Sequence, residues 1–438
     1  MPKPQYTQKF RDCWLRDPGL KDWLQVVEST GGPVANCMMC GDICDISRLT
    51  FAGDFQKQVE EIMQYIRLTR QEVETLQLLF DNLHQSLSIV WPGCKVHGFG
   101  SIVTGLGIKT SDIDCYVELP SWFYPPDRPF VIQARNILRQ RPQIYQELFS
   151  LTNAKIPIVK FYHKPTRRFC DVNFTSMAGV CNSALINYFL NSDQKILYLA
   201  ILVKYWAKIH NLTGVNMMSN YCLTLFVVFY LQQKNILPSV MDLQEKVDEH
   251  FVDCWNSAFC KEYQFSQINE TLYQLLGGFF KYYSTFNFEK LIISPYVGKP
   301  VERDMFSNVE SVPLEFQLYK KYVSSSNSEC KPIRLDTCMC VQDPFEHNRN
   351  CAVSVHPKLA QDIISHLRKA SEVFDSMDEK SFLRQLLIKI GSNKPRNRKP
   401  KKPVVNGVKK KYKQNLNIQQ NVKFIAQKYF KAKNERRE

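Results

Sequence analysis

The stretch from Gly98 to Leu119, GFGSIVTGLGIKTSDIDCYVEL, sets the tightest limits on this chain. A Gly100-Ser101 pair precedes Asp112-Ile113-Asp114, and Asp114 opens the apolar run Cys115-Tyr116-Val117. The run predicts a strand, in which side chains alternate faces, so Asp112 and Asp114 project to one side with Ile113 behind them. Two carboxylates one pleat apart repel each other unless a cation lies between them. Oxygen-only ligation suits Mg²⁺, usually held by one or two carboxylates plus substrate phosphates. A Gly-Ser turn offers backbone N–H groups and a hydroxyl to phosphate oxygens. An Asp-x-Asp alone on a surface strand is ordinarily just solvated. Joined to the Gly-Ser turn at this spacing, it reads as a site for a metal-bound triphosphate.

The rest of the chain has room to complete such a site. Its 438 residues suffice for two or three domains, and 44% hydrophobic content supports a large core. Runs such as Ile196–Val203 and Tyr221–Leu231 fall short of the roughly 20 residues a bilayer span needs. The N-terminus lacks the apolar segment of a signal peptide. The 15 cysteines follow no disulfide framework, so they read as reduced thiols of the nucleus or cytoplasm, with no membrane association. The net charge of +15 is concentrated: residues 391–438 hold 16 Lys/Arg and 2 Glu, while the other 390 hold 41 Lys/Arg against 40 Asp/Glu. Such a basic tail is expected to be disordered, and suits nuclear import or attraction to nucleic acid backbone.

Five segments are expected. Residues 1–54 form a small unit around Cys37 and Cys40, which have zinc-ligand spacing but supply half of the four ligands Zn²⁺ needs. Residues 55–86 show a three- to four-residue apolar period, expected as one long helix of a helical lobe. Residues 87–180 hold the Gly98–Leu119 stretch, a helix over 130–151, and two β-rich runs, 155–162 and 168–174. Asp171 lies in the second run, and reads either as a salt-bridge partner of Arg167 or Arg168 or as a third carboxylate. A third acid completes a second metal or takes the proton of an attacking hydroxyl. Residues 181–390 are mostly helical. There Lys204 and Lys208 share a helix face, as solvated charges or as phosphate ligands. Ser219-Asn220-Tyr221 caps the next helix, with Tyr221 alternatively stacking on a base. Asp343-Pro344-Phe345-Glu346 opens a turn, and a final helix covers 357–390. Residues 391–438 are the basic tail.

In this order the motifs resemble the noncanonical poly(A) polymerases and terminal uridylyltransferases of the nucleotidyltransferase superfamily. Gly100-Ser101 with Asp112 and Asp114, Pro157–Phe161, Asp171, Gly179-Val180-Cys181-Asn182-Ser183, Lys204–Lys208, the aromatic segment 275–288 and Asp343–Glu346 carry the resemblance over residues 55–390. It implies an α+β, bilobed fold: a small mixed-sheet catalytic lobe and a larger helical lobe. It implies that Asp112, Asp114 and Asp171 hold Mg²⁺ or Mn²⁺ and that Asp171 activates an RNA 3′-hydroxyl. Gly100, Ser101, Lys204 and Lys208 would hold phosphates, Asn182 the ribose and Tyr221 the base. Asn220 stands where the family often has a second Ser. Arg349 stands where many uridylyltransferases have a His after Asp-Pro-Phe-Glu; His347 fits that place only after a two-residue deletion. The N-terminal segment resembles a degenerate BED-like zinc finger without its histidines, so a metal-free unit is expected rather than Zn²⁺ at Cys37 and Cys40.

The function expected is addition of UMP from UTP to RNA 3′ ends. The alternatives are a polymerase using ATP and a catalytically silent RNA-binding scaffold. A nucleotide second-messenger synthase on the same fold is disfavoured by the helical lobe and by Asp343–Glu346, which the resemblance makes the start of a nucleotide-recognition loop.

Overall fold

A computed structural model describes the backbone of residues 24–29 and 32–37, and residues 44–123, 130–154, 156–214, 216–325 and 330–389 in full. Strands β1 (Leu24–Ser29) and β2 (Gly32–Cys37) form an antiparallel hairpin. Cys37 ends β2, Cys40 and the basic tail lie outside the described residues, and Cys44 is a half-buried free thiol.

The expected long helix is three helices, α1 (Phe55–Ile66), α2 (Arg70–Thr75) and α3 (Gln77–Leu87). The break has a local cause. Thr69 accepts from the Glu72 N–H while the Glu72 carboxylate accepts from the Thr69 N–H, a capping box that starts a new helix. The break also divides the stretch between two cores. Val59, Ile62 and Ile66 enter the core of the helical lobe, whereas Leu76, Leu79, Leu83 and Leu87 enter that of the sheet. Assigning all of 55–86 to the helical lobe is therefore corrected.

The sheet comprises β3 (Lys95–Phe99), β4 (Ile113–Glu118), β5 (Tyr145–Leu151), β6 (Ile158–His163) and β7 (Arg168–Asn173), in the order β3-β4-β7-β6-β5. Only the β4–β7 pairing is parallel. The helix expected over 130–151 is a helix only as α4 (Phe130–Leu138); 145–151 is edge strand β5. Tertiary pairing wins there. Tyr145 is buried, its hydroxyl 2.9 Å from Ser86 Oγ on α3, and the strand bonds to β6. Burial alternates along β4: Ile113, Cys115 and Val117 face α3 and α4, and Asp114, Tyr116 and Glu118 face away.

The helical lobe holds α5 (Ala178–Leu190), α6 (Gln194–Ile209), α7 (Asn220–Gln233), α8 (Val240–Gln244), hairpin β8 (Phe251–Val252) and β9 (Trp255–Asn256), and α9 (Leu272–Ser284). A small sheet of β10 (Leu291–Ile293), β11 (Val301–Glu302) and β12 (Cys340–Val341) follows, with α10 (Gln317–Val323), α11 (Pro357–Ser376) and α12 (Glu379–Leu387). The single final helix expected from 357 stops at Met377, because Asp378 caps α12 through the Ser381 N–H. Gly277 on α9 admits the ring of Phe374 on α11; a Cβ there would lie 2.1 Å from the ring. The fold is thus α+β and bilobed. Among the described residues no helix is long and apolar enough to cross a membrane.

Candidate active site

Strand register builds one row across the open face of the sheet. Phe99 pairs with Asp114, Asp114 with Asp171, and Asp171 with Lys160. Adjacent strands are about 4.8 Å apart, so the two carboxylates and the ammonium are nearest neighbours. Asp112 joins from the turn before β4. Lys160 Nζ lies 3.2 Å from Asp112 Oδ2 and 2.9 Å from Asp171 Oδ1. Asp171 thus pairs with Lys160, not with Arg167 or Arg168; Arg168 instead reaches Glu72 and the Lys109 carbonyl. Burial and the charges of Asp171 and Asp112 push the Asp114 carboxyl up to about 7. Burial raises Asp171 as well, against the pull of Lys160. Burial opposes the charge on Lys160, yet Asp171 and Asp112 outweigh it and hold the amine above its ordinary value.

The Gly-Ser turn is built against this row. Gly100 has φ +76°, and a Cβ there would lie 2.4 Å from Asp114 Oδ2. Its N–H donates to Ser183 Oγ at 2.8 Å, joining the turn to α5. Ser101 is half-buried, and its carbonyl accepts from Thr104 Oγ1. Lys204 is 6% exposed and donates to the Leu106 carbonyl at 2.7 Å, so its observed partner is the loop after the turn. Burial and neighbouring Lys208 bring its amine down to about 7. Lys208, half-buried, lies one turn further along α6. Gly100→Ala is expected to lower turnover by about 100-fold, because strain at a positive φ and contact with Asp114 displace the row. Extension kinetics alongside a melting curve check this.

A second cluster centres on the fully buried Asp343. Its Oδ2 accepts from Asn182 Nδ2 and Tyr221 Oη, both at 3.1 Å. Its Oδ1 accepts from the N–H groups of Phe345 and Glu346. Asn182 is 5% exposed, and its Oδ1 has no partner among the described residues. Arg349 Nη1 pairs with Glu346 at 2.7 Å and with Asp343 at 3.5 Å, and its guanidinium lies 5.9 Å from the Tyr221 ring centroid. Asn220 is exposed at the start of α7, whose cap is Ser219.

His347 lies elsewhere. It is 4% exposed and packs against Tyr296, Trp255 and Phe316, with ring centroids at 4.0, 5.3 and 5.6 Å. Arg349, not His347, therefore stands beside Tyr221. Burial holds the His347 imidazole down at about 3. Its folded value is depressed, so its contribution to stability is full above the ordinary 6.5 and is lost as pH falls. At pH 5 the loss is about 2 kcal/mol. His347→Phe is expected to flatten the fall in melting temperature between about pH 7.5 and pH 5.

The carboxylate row suits a divalent cation. Asp114 accepts no hydrogen bond from a described residue, faces two other acids, and has the Gly100 turn against it. As the side chains stand, no three His, Cys, Asp or Glu of the described residues are arranged to hold a metal ion. The point between Asp112 and Asp171 is taken by Lys160. Sequence reasoning assigned no role to Lys160 or Ser183, although both lie inside the motifs it quoted.

Residues 55–191 match the family model described as poly(A) RNA polymerase, mitochondrial-like, central palm domain. Residues 271–349 match that described as Cid1 family poly A polymerase. Both descriptions fall within the noncanonical poly(A) polymerase and terminal uridylyltransferase family that the motifs resemble. It is 28% identical over 346 residues to the Bos taurus protein named poly(A) RNA polymerase GLD2, covering 74% of this chain and 65% of that one. Other curated relatives are matched over 44% and 53% of their length, so the chain spans about half of them. Among solved structures it resembles mtPAP in complex with ATPγS, with a TM-score of 0.64 and 20% identity over 80% of this chain and 75% of that chain. It also resembles the Cid1 poly(U) polymerase, with a TM-score of 0.62 and 21% identity over 76% and 98%. These likenesses bear on the fold.

Proposed function

We propose that this chain is an RNA 3′-terminal nucleotidyltransferase that adds UMP from UTP. The observation that carries the reading is the cross-strand row of Asp114 and Asp171, with Asp112 beside it and the Gly100-Ser101 turn against it. Asp112, Asp114 and Asp171 would hold Mg²⁺ or Mn²⁺, which when bound neutralises charge on the triphosphate and lowers the pKa of the attacking hydroxyl. Asp171 takes the proton of the RNA 3′-hydroxyl, whose oxygen then bonds to the α-phosphorus as pyrophosphate leaves. Positioning is most of what a protein supplies in such a transfer. Ser101 and backbone N–H groups of its turn orient the phosphates, with Lys208 adding charge; Lys204 supports the turn through the Leu106 carbonyl. The Asn182 Oδ1, without a partner among the described residues, accepts from a ribose hydroxyl. Residues 391–438 attract RNA through charge, consistent with a place in the nucleus or cytoplasm.

Arg349 supports UTP. Guanidinium has five donors and no acceptor, so it matches a carbonyl oxygen of uracil, whereas toward adenine it can donate only to a ring nitrogen and leaves the amino group without an acceptor. Both observed ion pairs use Nη1, which leaves further N–H donors. The relatives named as poly(A) RNA polymerases favour ATP as the second reading. Incubation of the purified protein with RNA, Mg²⁺ or Mn²⁺ and each NTP in turn decides between them. UTP is expected to extend RNA fastest, and Arg349→Ala to reduce the UTP-to-ATP ratio about tenfold, the worth of one hydrogen bond to a charged group. Equal use of ATP and UTP would discard the uridylyl reading; no extension with any NTP would discard the activity.

A further inference from the structure

We infer that Lys160 is an internal counter-cation of the carboxylate cluster, which holds the metal-free site together and which a divalent ion must displace. The inference rests on the metal-binding reading above. Its basis is geometry. Three acids converge on one end of the open sheet face, where like charges directly opposite one another are destabilising. Register sets Lys160 opposite Asp171, whose other neighbour is Asp114. The Lys160 amine spans the gap between two acids, at 3.2 Å from Asp112 and 2.9 Å from Asp171. It also lies 5.7 Å from the Phe169 ring centroid on β7, where the aromatic face favours a cation. The Lys160 and Asp171 side chains are each 25% exposed, so water screens this pair less than a surface one.

Two consequences follow from the same contacts. Without Lys160, Asp112 and Asp171 lose their only direct ion-pair partner among the described residues, and the metal-free protein loses stability. With Lys160, an incoming ion competes for the oxygens that the amine already contacts. The amine thus weakens metal affinity while keeping the acids in register. It acts as a positioning residue.

The test uses the full-length chain with Mn²⁺ alone as probe. Titration calorimetry and melting curves in EDTA and in Mn²⁺ compare wild type, Lys160→Met and Lys160→Arg. Lys160→Met is expected to melt several degrees lower in EDTA and to bind Mn²⁺ about tenfold more tightly, the equivalent of one charge-assisted hydrogen bond. Its melting temperature should gain more from Mn²⁺ than that of the wild type. Lys160→Arg, which keeps the charge, should stay within about twofold of wild type in affinity. In a wild-type arm, which survives misfolding of the variants, amine acetylation read by mass spectrometry should modify Lys160 faster with Mn²⁺ than in EDTA. Equal or weaker Mn²⁺ binding by Lys160→Met, or acetylation of Lys160 unaffected by Mn²⁺, overturns the inference. Failure of both wild type and Lys160→Met to bind Mn²⁺ instead removes the metal reading itself, and the inference with it.

Discussion

Asp114→Asn is expected to lower RNA extension by on the order of 10³-fold while raising the melting temperature of the metal-free protein. The two effects have one origin. Asp114 lies on the face of β4 toward Asp171, its neighbour across the parallel pair, with Asp112 two residues before it. Its carboxylate accepts no hydrogen bond from a described residue, and the Gly100 turn lies close enough to Oδ2 to leave no room for a Cβ. A half-buried carboxylate facing two others is costly in the absence of a cation. The amide keeps the shape and removes the charge, which relieves repulsion and forfeits one of the three proposed carboxylate ligands. Extension assays and melting curves in EDTA on the same preparation check both halves. Retained activity would remove Asp114 from the chemistry. A lower melting temperature would mean that its charge is compensated in a way the contacts above do not supply.

Asp343→Ala is expected to cost about 3–5 kcal/mol of stability and to raise the KM for nucleotide by more than about tenfold. Asp343 is fully buried and accepts from five donors: the side chains of Asn182 and Tyr221, the N–H groups of Phe345 and Glu346, and the Cys351 thiol. It also faces the Arg349 guanidinium. Removing it orphans those donors and leaves a cation beside the Tyr221 ring with only Glu346 to balance it. Asp343→Asn should fall between, since its amide oxygen keeps some of the donors. Urea unfolding and initial rates against UTP concentration measure the two effects. A KM change without loss of stability would instead mean that Asp343 contacts nucleotide directly.

The two clusters differ in how far the sequence can be read. The carboxylate site is legible because its spacing is local. Alternation along one strand places Asp114 opposite the apolar face, and a Gly-Ser turn has few uses beside such acids. The bilobed α+β fold follows from a resemblance spread over many ordered motifs. The helix boundaries are harder. The period of 55–87 runs unbroken through Thr69, yet the residues on either side serve different cores. Periodicity reports that a face is buried and is silent on which core buries it. Residues 145–151 read as helix from their own pattern because edge pairing with β6, which makes them a strand, is non-local.

That three acids, a phosphate-suited turn and a basic tail share one chain is a matter of residue type and short-range spacing, and the sequence alone establishes it. Which side chains become neighbours depends on packing between distant segments. The folded chain sets Lys160 between Asp112 and Asp171, Ser183 on the N–H of Gly100, and Arg349 rather than His347 beside Tyr221. Counting along the recognition loop leaves both Arg349 and His347 open. Burial separates them: an imidazole can be desolvated as a neutral ring among aromatics, whereas a guanidinium keeps its charge and must stay with the carboxylates of Asp343 and Glu346.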